Sequence, residues 1–250
     1  DALNVRYTDA DDVTTTDTIT ETASPFTIDD EGGDDEITVK SSTDDPDATT
    51  IQVETDTRTG WEAIFVFDLD TDDSTNDITV DGLTINVETD DAGGTNDVVS
   101  DIRLVVEGTN YDDWSVVNGD LLSNQYVFDL DNELVIDAGD RVPVKVQVRF
   151  LQSTGNYAEG TTIQATTTGT TIDADGADTL SGSQLSGAAT GDVHTLRSEG
   201  AILDLVSTTE VFKENSDTTV DDNQGIFTIK FDVTAFENDL FVSKSAGRAS

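Results

Sequence analysis

The ten residues Arg141–Phe150 follow a period of two. Val142, Val144, Val146, Val148 and Phe150 fall on one parity, and Arg141, Lys145, Gln147 and Arg149 on the other. Successive side chains of a strand point to opposite faces, so this run reads as a strand with one apolar and one polar face. Phe227, Ile229, Phe231 and Val233 alternate with Thr228, Lys230 and Asp232 in the same way. Ile64–Leu69 is apolar on both parities, as a central strand covered on both faces would be. Ile78 and Val80 are even whereas Leu83, Ile85 and Val87 are odd, so the phase flips at Asp81–Gly82, which predicts a bulge or sharp bend. Further strands are expected at 37–40, 50–54, 101–107, 125–129, 133–136, 161–167, 193–197, 201–206 and 240–243. Asp, Asn, Gly, Ser and Thr clusters separate them, which is turn chemistry. No window carries a helical stripe. The expectation is an all-β fold: an Ig-like antiparallel β-sandwich followed by a smaller, incomplete β module.

Charge decides what such a fold must live with. The chain of 250 residues holds 53 acids against 12 bases, a formal net charge of −41. Forty of the acids are Asp, a residue that suits turns and oxygen-rich cation sites better than helices. A compact body of this charge repels itself unless cations screen it. Nucleic acid is excluded as a partner, because no basic patch exists to displace phosphate counterions. No apolar run approaches the roughly 18 residues of a membrane span. Cysteine and methionine are both absent, which removes disulfides and thiol chemistry and makes Asp1 a processed end or a fragment boundary. The apolar residues lie in organised runs, which argues for a folded chain over a disordered one.

Three parts are expected: an N-terminal strand and Thr-rich linker over 1–22, a main sandwich over 23–198, and a partial second β-sandwich module over 199–250. The Gly/Ser-rich stretch 181–191 reads as a long loop. Phrases such as DDPDATTIQV, VSDIRLVVEG, LVIDAGDRVPVKVQVRF, NYAEGTTIQATTT and GIFTIKFDVTAF resemble Ig-like β-sandwich modules of large prokaryotic cell-surface proteins of the S-layer, adhesin or fibre type. The likeness is nearest to those of candidate-phyla-radiation bacteria and covers about residues 24–245. It implies an extracellular or cell-surface location and a structural role, and it carries no site residues.

Calcium is the leading ligand expectation. Asp173, Asp175 and Asp178 alternate in a loop bent by Gly176, which lets several oxygens converge on one ion. Asp68, Asp70 and Asp72, with Asp73 and Asn76, form a second cluster, and Asp129, Asp131 and Glu133 a third. The plainer reading is a set of solvated Asp turns, and a haloarchaeal surface screened by molar salt competes on the same evidence. Arg141, Lys145 and Arg149 are expected to form a ladder with acids of a neighbouring strand. Tyr111 and Trp114, beside Asp112 and Asp113, offer aromatic faces and carboxylates suited to a pyranose, with Trp61 as a second platform. The plainer reading for Trp114 is a lid on the core edge. No catalytic set and no cofactor site stand out: His194 is the only histidine, and no Gly-x-Ser-x-Gly elbow occurs. The chain is read as non-enzymatic, self-associating into a filament or lattice, with surface glycans as the alternative partner. Leu3, Val5 and Tyr7 make a short apolar strand that a neighbour's unfinished sheet, led by Phe227, Ile229 and Phe231, can accept. A following segment of a longer chain is the alternative occupant.

Overall fold

A computed structural model describes residues 3–8, 14–19, 35–120, 122–213, 224–237 and 239. Strands follow one another almost without interruption. In chain order they are β1 (Leu3–Thr8), β2 (Thr14–Ile19), β3 (Ile37–Ser41), β4 (Thr50–Gln52), β5 (Glu62–Asp70) and β6 (Ile78–Thr89). After a single helical turn, Thr95–Val98, come β7 (Val99–Val106), β8 (Thr109–Tyr111), β9 (Trp114–Asp120), β10 (Ser123–Ile136) and β11 (Arg141–Phe150). The rest are β12 (Thr162–Thr168), β13 (Asp173–Asp175), β14 (Leu185–Thr190), β15 (His194–Arg197), β16 (Gly200–Lys213) and β17 (Gln224–Phe236). The fold is all-β.

Two layers enclose one core. The first has the order β8-β7-β11-β5-β3, and the second runs β12-β6-β10-β9 with β13, β15 and β4 alongside. The alternating rows of the sequence meet between them. Val144, Val146 and Val148 of β11 and Phe65, Phe67 and Leu69 of β5 share a core with Ile78, Ile85, Phe128 and Ile163 of the other layer. β5 is buried on both faces from Ile64 to Asp70, as apolar residues on both parities of Ile64–Leu69 require. His194 is fully buried and donates from Nε2 to the Ile64 carbonyl at 2.9 Å, so it serves this strand's edge.

At Asp81–Gly82 both neighbours of β6 shift register: β10 between Asp129 and Leu134, and β13 between Asp173 and Ala174. A Cβ on Gly82 would stand 2.9 Å from the Phe128 carbonyl oxygen, so the irregularity needs glycine.

The expected loop 181–191 contains the strand that joins the layers. Leu185–Gly187 pairs parallel with β3, and Ala188–Thr190 pairs antiparallel with β12. Small side chains let the chain pass from one sheet to the other, and they erase the period-2 pattern that would have revealed a strand. A second parallel pair joins β15 to β4, so the sandwich is not antiparallel throughout.

The remaining strands form two separate ribbons. β1 pairs with β2, so the Thr-rich stretch expected to be a linker is a strand; Thr is β-branched and fits a pleated ribbon. β16 pairs with β17 over thirteen positions, with one bulge at Val206. The strand expected at 240–243 lies outside the described residues.

Candidate functional site

The acids proposed as ligands fall into different environments. Asp68 and Asp70 sit on the β5 face that looks toward Lys40 and Arg141. Arg141 Nε lies 2.8 Å from Asp68 Oδ2, and Lys40 Nζ lies 2.8 Å from Asp70 Oδ2. Burial alone would raise the Asp70 carboxyl, but Lys40, the Asp72 amide and Arg141 together hold it below the usual range. These two carboxylates are therefore neutralised by protein bases. Asp72 and Asp73 are exposed in the following turn. Arg141 makes the expected ladder contact. Arg149 instead stacks on Trp61, with Arg103 on the same indole, at 4.8 and 4.3 Å from the ring. Trp61 is thus a platform already covered by two guanidinium groups.

Asp35, which nothing in the sequence distinguished, organises the loops around two of the proposed clusters. Its buried carboxylate accepts hydrogen bonds from the Thr75 hydroxyl, the Asn76 amide nitrogens and the Ala177 N–H, at 2.9–3.1 Å. Burial opposes ionisation, but these donors prevail and lower its pKa to about 2. A Cβ on Gly176 would collide with the Asp35 side chain. The glycine that suggested a cation loop is needed for the approach of a carboxylate.

Asp173 and Asp175 gather elsewhere, with Asp81 and Asp129, around the Gly82 irregularity. Burial first, then Asp175, Asp173 and Asp129, push the Asp81 carboxyl above its ordinary value. Asp178 is exposed at the hairpin tip, where its carbonyl accepts from Gly176. Asp131 lies in the β10 bulge with φ +52°, and the Glu133 side chain is outside the described set. Among the described residues no three acidic or histidine side chains are arranged to hold a metal ion.

Three of these acids, Asp81, Asp129 and Asp173, border a groove of about 430 Å³ that is also lined by Asp113, Trp114 and Phe128. Trp114 is half-buried and meets Tyr126 edge-on, ring centres 5.3 Å apart. Tyr111 packs against the core beside it. Trp114 therefore covers the core and also faces a groove with carboxylates around it.

The third feature is the β16–β17 ribbon. Residues paired across two antiparallel strands share a face, and the register puts Leu203, Leu205, Phe212, Phe227, Ile229 and Phe231 on one side. Their exposures run from 52% for Phe231 to 71% for Phe227. Phe212 and Phe227 meet edge to face at 6.4 Å. Beyond this ring contact, and among the described residues, the side chains of the row are mostly exposed. Alternation shows such a row in the sequence, but only the pairing shows that it is left uncovered.

No family model matches the chain, and no curated protein does. A solved structure titled "AvmM Catalyzes Macrocyclization in Alchivemycin A Biosynthesis" is 12% identical over 66% of this chain and 89% of that one, with a TM-score of 0.33. A likeness this slight carries no argument about function.

Proposed function

We propose that this chain is a non-enzymatic structural component of a prokaryotic cell surface or extracellular filament, acidic, screened by cations and built to associate with copies of itself. The observation that carries the reading is the uncovered apolar face of the β16–β17 ribbon on a molecule of charge −41. Exposed apolar rows of this size mark interaction surfaces on soluble proteins. The strand phrases that resemble surface-protein modules supply the location. The native particle mass tests it: a polymer or defined oligomer at micromolar protein supports it, and a monomer at every concentration sinks it.

The groove at Trp114 favours a second reading, an extracellular carbohydrate-binding or adhesin module. An indole beside several carboxylates suits a sugar face and its hydroxyls. Binding on a glycan array that Trp114→Ala abolishes would move the function there. Hydrolysis of any polysaccharide or peptide would overturn both readings.

A further inference from the structure

We infer that the β16–β17 ribbon is a self-pairing surface, and that two copies of this chain lay these ribbons face to face, antiparallel, to make a four-stranded two-layer module. The inference rests on the structural-component reading and names its contact.

An isolated two-stranded ribbon is marginal in water, and an amphipathic one needs a second layer about 10 Å away. Length selects the layer. Thirteen paired positions span roughly 43 Å at ~3.3 Å per residue, whereas the six pairs of β1 and β2 span roughly 20 Å. Another copy of the ribbon matches the whole face; the N-terminal ribbon covers half.

Charge selects it again. β16 and β17 carry Asp204, Glu210 and Asp232 against Lys213 and Lys230, nearly neutral in a strongly acidic chain. Two copies meeting here avoid most of the repulsion they would feel elsewhere.

The row is also complementary to itself when reversed. From base to tip the paired levels are Ala201/Ala235, Leu203/Val233, Leu205/Phe231, Thr208/Ile229, Glu210/Phe227 and Phe212/Gly225. A two-fold axis between the Leu205 and Thr208 levels places Phe212 over the partner's small Ala201 level. A cavity of about 320 Å³ lies at this end of the ribbon, lined by Ala48, Thr50, Val193, Ala201, Ile202 and Leu203. Phe227 then falls over Val233, and Phe231 over Ile229. Six to seven large apolar side chains covering roughly 100 Å² each give about 700 Å² per copy, close to the ~800 Å² of a standard interface. Glu210 is the one acid on this face and falls over Leu203.

Sedimentation of the full chain at micromolar concentration, followed by cross-linking, tests the pairing. Wild type should sediment as a dimer or a multiple of it. Phe227→Asp with Ile229→Asp should weaken association at least 100-fold while the circular dichroism of the sandwich is unchanged. Thr209→Asp with Lys230→Asp, on the opposite face, should leave it unaltered, and Glu210→Gln should tighten it several-fold. The chain has no cysteine, so Thr208→Cys gives a single thiol. A short bis-maleimide should link it into covalent dimers, and Thr209→Cys should give none. An assembly that survives Phe227→Asp with Ile229→Asp, or that is lost on replacing Leu3 and Val5 with Asp, overturns ribbon pairing and leaves the structural-component reading standing. A monomer throughout overturns both.

Discussion

Asp35 is buried and Asp81 half-buried, with opposite electrostatic outcomes, and each predicts its own pH dependence. Asp35 has a folded pKa lowered to about 2 from 3.8, so its contribution is complete above about pH 4 and is lost as pH falls toward 2. Asp35→Ala removes charge-assisted hydrogen bonds to two loops and should cost about 2–3 kcal/mol at neutral pH. In urea melts the gap between wild type and variant should shrink as the pH is taken from 4 to 2. Asp81 is raised, by burial and by three neighbouring acids, so its ionised form weakens the fold above its pKa and protonation relieves it. Asp81→Asn should therefore stabilise the protein by about 1 kcal/mol at pH 7, and the gain should vanish in acid. A loss of stability at pH 7 would show that Asp81 has a partner that needs its charge.

Among the elements, β14 and the β16–β17 ribbon sit at opposite ends of the stability scale. β14 changes sheets at Gly187, where φ is +78° and a Cβ would collide with the Val39 backbone. Gly187→Ala should cost about 3 kcal/mol or more, read as a lowered urea midpoint at constant slope. The same substitution at exposed Gly155, also left-handed at φ +85° but with open space beside it, should cost about 1 kcal/mol. Among the described residues no second layer covers the ribbon, so its amides should exchange within seconds in dilute protein, and those of β5 and β11 should persist for hours. Protection of the ribbon that rises with protein concentration would mark a second layer.

For the whole molecule, charge sets the response to solvent. With a net charge of −41, the melting temperature should climb between 10 mM and 1 M NaCl as the Debye length shrinks from about 30 to 3 Å. At fixed ionic strength, a Ca²⁺ titration separates the two sources of stabilisation, and a melting temperature unchanged at micromolar Ca²⁺ leaves general screening alone. A sharp rise at micromolar Ca²⁺ would instead reveal a specific site.

The sequence by itself determined the strand class, because period-2 rows such as Val142–Phe150 and Leu83–Val87 bury one face of a pleated strand and leave the other polar. It also located the irregularity at Asp81–Gly82, since a phase flip in a buried strand has to be absorbed by a bulge. Ligand geometry lay beyond it. Adjacent Asp residues look alike in a sequence, and only the packing put Asp68 and Asp70 against Lys40 and Arg141, and Asp173 and Asp175 against Asp81. The joining strand β14 was hidden because close passage between sheets selects Gly, Ala and Ser, which carry no hydrophobic period. The uncovered face of β16–β17 was a tertiary outcome as well. Alternation fixes which residues share a face, but whether a second layer covers that face depends on how many strands the chain brings to it.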